Sequence, residues 1–184
     1  MDAVSICNLA LQKLGAKSIT ALTEDTTAGR ECNRVYEHAR DSELRAHPWN
    51  FARTRTSIAA SSTDPVFGYA KQYQLPSDCL RILPTSANDD WQIEGRMILT
   101  DDTSPLQLVY IKKVTDPNDF DALFVELLAA RIAVEITEKV TQSNTKKAGV
   151  QAHYEMVRKE ARRVNAFDRV PQTTPDGSWI TARL

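Results

Sequence analysis

Two prolines divide this sequence into regions of different hydrophobic periodicity, and this division constrains the fold more than any other feature. Before Pro48 and after Pro117, apolar residues recur at steps of three and four, which is typical of helices. Between the two prolines, short runs alternate with turn residues, which is typical of strands. Proline lacks a backbone donor and disfavours helix in the preceding residue, so Pro48 ends a helix. The capping residue Asp116, followed by Pro117, begins another.

Four helices are predicted, over residues 3–14, 26–47, 117–140 and 144–166. Gly15 suits the left-handed position that ends the first helix, and Thr26 or Thr27 can cap the second. The second helix carries a stripe of mostly small residues: Ala28, Cys32, Val35, Ala39, Ser42 and Ala46. The third has the broadest apolar face, so we expect it to be the central core helix.

Residues 49–114 are predicted to form an antiparallel β region. The predicted strands cover residues 53–58, 69–75, 91–94, 96–99 and 106–114. The expected fold class is therefore α+β, mainly helical with about four helices, and with the β region inserted between the second and third helices. One domain would span residues 1–168. Residues 169–184, which hold two prolines, a glycine and no periodicity, would form an extended C-terminal arm.

The composition offers few candidates for chemistry. The cysteines are Cys7, Cys32 and Cys79, and the histidines are His38, His47 and His153. None of them has a second ligand at metal-binding spacing. Cys7 and Cys32 lie on apolar helix faces, so we expect small buried hydrophobes in a reducing compartment. Neither a Gly-rich phosphate loop nor a nucleophile elbow occurs in the sequence. We therefore expect no enzyme activity, no metal and no cofactor.

The charges are unevenly distributed along the chain. The formal net charge is only -1, which gives no overall electrostatic footprint for nucleic acid or membrane. Residues 146–184 nevertheless carry eight Lys or Arg against four Asp or Glu, while the rest carries 15 against 20. This asymmetry suggests two surfaces with different partners. No apolar run approaches ~20 residues and the N-terminus lacks a basic start, so we expect a soluble protein made in a cytoplasm, with no membrane partner.

The basic side of the fourth helix has two interpretations. Its cations are Lys146, Lys147, Arg158, Lys159, Arg162 and Arg163. One interpretation is contact with nucleic acid. Glu155 and Glu160 interrupt the cations, and no aromatic residues interleave with them for base stacking, which favours a solvated face or a protein contact.

Trp179, Ile180 and Leu184 give the C-terminal arm apolar groups that cannot pack locally. Full burial of a Trp returns ~4–6 kcal/mol, and of an Ile or Leu about 1.5–3 kcal/mol each. Ordering the sixteen residues of the arm costs roughly 1–2 kcal/mol apiece. Because this entropy exceeds the gain from burial, we predict an arm that is mobile in the free monomer and ordered on a partner. The alternative is an arm folded back on its own domain.

A series of short segments resembles a known family. They are Ile6-Cys7-Asn8-Leu9-Ala10-Leu11 with Leu14-Gly15, then Pro48-Trp49-Asn50-Phe51, then Tyr73-Gln74-Leu75-Pro76-Ser77-Asp78-Cys79-Leu80, then the strand Leu106–Lys112, and the acidic helix entry at residues 116–120. In this order, over roughly residues 3–165, the series is similar to phage tail tubular protein A, a head-to-tail adaptor (connector) family of tailed bacteriophages.

This resemblance implies a virion structural protein at the head-tail junction, assembled in the host cytoplasm. It implies a homo-oligomeric ring, usually of twelve subunits, that sits between the portal and the downstream tail protein and continues the DNA channel used in ejection. It also implies that the C-terminal arm reaches the portal. The contact residues would then be Arg169, Trp179, Ile180, Arg183 and Leu184, with Trp179 as anchor. In a ring, the small-residue stripe of the second helix could serve the core or a subunit interface.

Two acidic pairs, Asp89-Asp90 and Asp101-Asp102, lie in predicted turns. Aspartate is favoured in turns because its side chain bonds nearby backbone groups. The functional alternative is electrostatic: repeated around a ring, these carboxylates would line the channel and repel passing genomic DNA without sequence-specific binding.

Two other functions remain open at the level of sequence. The first is a tail-associated cell-wall hydrolase, which would need an acid placed in an apolar pocket or a nucleophile set. The second is a small DNA-binding packaging factor, which would bind duplex as a monomer with a steep dependence on salt.

Overall fold

A computed structural model of the chain describes residues 1–84 and 90–168. The helices within them are α1 (Ala3–Leu14), α2 (Thr27–Ala46), α3 (Ala122–Thr141) and α4 (Asn144–Phe167). The strands are β1 (Arg53–Ile58), β2 (Lys71–Gln74), β3 (Cys79–Leu83), β4 (Trp91–Glu94), β5 (Met97–Thr100) and β6 (Leu106–Lys112). All strand pairs are antiparallel. The predicted α+β class, with the β region between the second and third helices, is confirmed.

Helix α3 is the centre of the helical layer, as predicted. It contacts α1, α2 and α4. Phe124, Leu127, Leu128 and Ile132 on this helix are fully buried. Because its large apolar side chains are enclosed by three other helices, α3 contributes strongly to the hydrophobic stabilisation of this layer.

The start of α3 differs from the prediction. Asp116 and Pro117 begin a short 3-10 turn (Pro117–Asp119), in which the Asp116 carboxylate accepts a hydrogen bond from the Asn118 amide at 2.9 Å. The α-helix begins only at Ala122, and its cap is Asp121, whose carboxylate accepts from the Leu123 amide at 2.8 Å. Two acidic caps follow each other closely, and the extended backbone of Phe120 separates the turns that they start.

The buried face of α2 was only partly predicted. Cys32 and Ala39 are buried as expected, but Ala46 is exposed, and the interior also receives Tyr36 and Glu43. Residues 32, 36, 39 and 43 follow the helical repeat, so two polar side chains lie on the inner face. Tyr36 and Glu43 have long side chains, and the stripe of small residues in the sequence did not predict that these side chains would be buried.

The six strands form two small sheets, ordered β1-β6-β3 and β2-β5-β4. Strand β6 is central to the first sheet and is buried on both sides. Val109 and Ile111 join the core beneath the helices, whereas Leu108 and Tyr110 join a second core with Tyr73. The molecule therefore has three layers: the helices, the first sheet and the second sheet.

Candidate interaction surfaces

Three of the four predicted channel aspartates lie at one end of the second sheet. Asp90 precedes β4, and Asp101 and Asp102 follow β5; all three residues are exposed. The Tyr69 hydroxyl donates to Asp90 Oδ1 at 3.4 Å, and the Ala70 amide donates to Asp101 Oδ1 at 2.7 Å. The fourth, Asp89, lies outside the described residues. The structure thus brings Asp90 and Asp101 together around one loop.

The environment of Tyr69 reports the electrostatics of this end of the sheet. Its pKa is raised above the ordinary tyrosine value, first by partial loss of solvation and then by the carboxylates of Asp90, Asp101 and Glu94. A phenolate would be repelled by all three negative charges. The Asp101 carboxylate accepts from the amide of Ala70, 31 residues earlier in the chain, so this bond is not the local contact that the turn interpretation expects.

The loop before β2 exposes two large apolar side chains. Residues 65–68, Pro-Val-Phe-Gly, are named the tip here; Val66 is 97% exposed and Phe67 is 87% exposed. Gly68 has φ of 93°, a conformation that favours glycine and turns the chain back toward β2. The tip was not predicted from the sequence. Its signal is an apolar pair between a proline and a glycine in an otherwise polar loop.

Helix α4 has two distinct faces. Val150, Tyr154, Val157 and Ala161, which recur at steps of four and three in the sequence, are buried on its inner side. The outer side, named the α4 face here, consists of exposed residues: Ala152, Met156, Lys159, Arg163 and Phe167. Its apolar members Met156 and Phe167 are 58% and 75% exposed. The sequence predicted the cations of this side but not its exposed apolar residues.

A buried polar cluster holds α4 in place. The Glu43 carboxylate, on α2, is almost fully enclosed and accepts a hydrogen bond from the Tyr154 hydroxyl at 2.6 Å. Arg131 of α3 places its guanidinium 3.8 Å from the same oxygen. Burial, followed by the hydrogen bond and charge of Glu43, raises the pKa of Tyr154. Three helices therefore meet at one carboxylate, which fixes the orientation of α4 and its outer face.

An open groove of about 630 Å³ lies between the end of α1 and the start of α4. Lys13, Lys146 and His153 line it. The Lys13 ammonium contacts the Glu126 carboxylate and lies 3.3 Å from His153 Nε2. The charge of Lys13 is therefore balanced within the protein.

Cys7 and Cys32 are buried as predicted. Over residues 1–84 and 90–168, no three His, Cys, Asp or Glu side chains are grouped to hold a metal ion. In the same residues, each helix is too short or too polar to cross a membrane. The proposed portal contacts lie outside the described residues: Arg169, Trp179, Ile180, Arg183 and Leu184.

Comparison with models of known protein families gives no match for this chain, and comparison with curated proteins gives none either.

Proposed function

We propose that this chain is a virion structural protein rather than an enzyme: a subunit of a head-to-tail adaptor ring that joins the portal of a tailed bacteriophage to its tail and lines the DNA channel. The ring would usually have twelve subunits. The C-terminal arm would contact the portal, and the opposite side of the ring would contact the downstream tail protein. The site of action would be the head-tail junction of the virion.

The observation that carries this proposal is that two of the segments with family resemblance lie at packing centres of the fold. In the segment at residues 48–51, the Trp49 ring contacts the Phe124 ring at 5.2 Å between centroids, and Phe51 contacts Phe124 at 5.0 Å. This aromatic cluster packs the chain leaving α2 against α3. The resemblance in this segment therefore lies at residues that pack the core.

The segment at residues 73–80 has a similar role in the β region. The Tyr73 hydroxyl donates to the Asp102 carbonyl at 2.8 Å, within the second sheet. Asp78 accepts from the Tyr110 hydroxyl at 3.1 Å, and its carbonyl accepts from the Lys113 amide at 2.7 Å, which ties the segment to the strand at the centre of the first sheet. These contacts give a structural reason for Tyr73 and Asp78 of this segment.

The exposed carboxylates support the channel role within this proposal. Asp90, Asp101 and Asp102 would be repeated in every subunit, and a ring would combine their charges. DNA passing such a surface would be repelled instead of held, which suits a conduit. The arms would act together at the portal, because linked weak contacts bind through effective concentration.

The direct test is assembly with the portal protein of the phage that encodes this chain. Purified full-length protein is mixed with portal and the product is examined by electron microscopy and mass photometry. We expect a ring seated on the portal. A chain of residues 1–168 should remain folded by circular dichroism and fail to join, and Trp179→Ala should weaken joining.

Thr174→Ala is the matched control, because it changes a polar residue of the same arm. Full-length protein that does not bind the portal would contradict the adaptor function. A truncated chain that joins the portal as well as the full chain would contradict the role of the arm alone.

A further inference from the structure

The tip is an exposed apolar group inside an acidic surface. Residues 59–78 and 90–105, which carry the tip and the second sheet, contain six acidic residues against two basic ones. Asp64 pairs with Lys71 at 2.9 Å. Within the described part of the chain, Asp90, Glu94, Asp101 and Asp102 have no basic side chain at ion-pair distance. The tip therefore offers a Val-Phe pair surrounded by carboxylates that are not neutralised.

The α4 face has the opposite character. Helix α4 contains six basic residues against two acidic ones. Arg158 contacts Glu155, but Lys159 and Arg163 lack a carboxylate at ion-pair distance among residues 1–84 and 90–168. Met156 lies one turn before Lys159, Phe167 lies one turn after Arg163, and the Arg163 guanidinium lies 6.0 Å from the Phe167 ring centroid. A shallow depression runs along this face between Ala152 and Arg163.

We infer that the tip of one copy docks on the α4 face of a second copy, with Phe67 against Met156 and the carboxylates around the tip facing Lys159 and Arg163. Both partners of this contact are exposed in the single chain, so neither covers the other within one copy. The first sheet lies between the helices and the second sheet and separates them. Contact between copies satisfies both the apolar and the charged groups.

Charge complementarity selects this occupant over the alternatives. A tip that met the tip of a second copy would bring two sets of carboxylates together. An anionic lipid surface would meet the same repulsion. The α4 face of a second copy instead offers apolar side chains flanked by cations. Helix α4 contains two acids: Glu155 is paired with Arg158, so Glu160 alone remains unpaired near this face among the described residues.

The contact is heterologous, because two different patches of the chain meet. Such a contact leaves a free tip at one end and a free α4 face at the other, so it propagates to a ring or a chain of subunits. The inference deepens the proposed function, on which it rests for its biological role. Its test needs no portal, so failure of the contact and failure of the adaptor function are separate results.

The experiment measures self-association of full-length protein by sedimentation velocity at rising concentration. Two variants each remove one half of the contact: Phe67→Ser changes the tip, and Lys159→Glu/Arg163→Glu changes the α4 face. We expect each variant alone to associate at least about ten-fold more weakly than the unmodified chain. Raising the salt concentration should weaken association of the unmodified chain, since the charges are exposed.

The decisive measurement uses a mixture of the two variants. Phe67→Ser keeps an intact α4 face, and the double variant keeps an intact tip, so together they can form one contact and no more. We expect a one-to-one dimer that does not grow further. Lys17→Glu/Arg55→Glu is the matched control, because both residues are exposed cations outside the two patches, and it should associate like the unmodified chain.

Three results would overturn the inference. The first is an unmodified chain that stays monomeric up to about 1 mM. The second is association that neither variant weakens, which would point to another surface. The third is two weakened variants that form no dimer when mixed, which would mean that the tip and the α4 face do not meet each other.

Discussion

Replacing Tyr154 by phenylalanine tests the buried carboxylate that joins three helices. The change removes the hydroxyl that donates to Glu43 at 2.6 Å and leaves the ring in place. A hydrogen bond to a charged group contributes about 1.5–3 kcal/mol. Arg131 stays 3.8 Å from the carboxylate, so the loss should remain below the roughly 3–5 kcal/mol of a broken buried ion pair. We expect Tyr154→Phe to lower the free energy of unfolding by about 2–3 kcal/mol.

The assay is urea unfolding followed by far-ultraviolet circular dichroism, with thermal unfolding as a second measurement. For a chain of this size each kcal/mol shifts Tm by about 2–4 °C, so a fall of about 4–12 °C is expected. Tyr69→Phe is the matched control, because Tyr69 is only partly buried and its hydroxyl donates to the exposed Asp90 at the longer distance of 3.4 Å. That variant should lie within about 0.5 kcal/mol of the unmodified protein.

A double-mutant cycle with Glu43→Gln isolates the pair. The amide oxygen can still accept from Tyr154, so the single Glu43→Gln variant should lose about 1 kcal/mol. The double variant should lose less than the sum of the two single losses, by up to about 1 kcal/mol, because the charge-assisted part of this hydrogen bond is lost in each single variant and is lost only once in the double variant. Additive losses, or a Tyr154→Phe variant as stable as Tyr69→Phe, would refute this account of the cluster.

Two further predictions concern ionisation and channel charge. Tyr36 is buried, its hydroxyl has no partner among the described residues, and burial raises its pKa to about 12. Only the unfolded chain ionises between pH about 10 and about 12, so stability is full below this window and falls as pH rises through it. Tyr36→Phe removes a buried hydroxyl without a partner among the described residues, so it should raise the free energy of unfolding by about 1 kcal/mol near pH ~8 and flatten this fall in urea unfolding. An unchanged slope would contradict the role of Tyr36. In assembled rings, changing Asp89, Asp90, Asp101 and Asp102 to Asn should increase the retention of DNA measured by filter binding. Equal retention would argue against electrostatic repulsion in the channel.

The helical layer was largely predictable from sequence, because long periodic segments with strong end signals depend on local rules. Asp2 and Gly15 cap α1, and both ends lie where the pattern placed them. The entry to α3 failed because two capping acids, Asp116 and Asp121, compete within a few residues. A local pattern cannot decide which of them starts the α-helix, since packing of Phe120 and Phe124 against Phe51 contributes to the choice.

The β region was predicted in outline, but strand β3 was missed. Its sequence, Cys-Leu-Arg-Ile-Leu, shows no clean alternation, because Ile82 and Leu83 are both buried, one toward each core. Burial on two sides removes the period of two on which strand prediction depends.

The candidate surfaces were predictable only in part. Asp90 and Asp101 were selected as acidic pairs in sequence, but their meeting around Tyr69 depends on the pairing of β2 with β5. The exposed state of Phe67 could not be read from the chain, since an apolar pair in a loop is usually expected to pack inward. The meeting of the two aspartates depends on long-range strand pairing, and the exposure of Phe67 depends on the direction of its loop. Neither property can be predicted from neighbouring residues in the sequence.

Strand β6 limits how this chain can vary. Its four residues from Leu108 to Ile111 alternate between the two cores, and none of them faces solvent. Adding or deleting a single residue there would exchange the two sets, so that each core would receive side chains shaped for the other. Changes of length are therefore expected to be confined to the connecting loops, and the register of β6 should stay constant in any relative that keeps both cores.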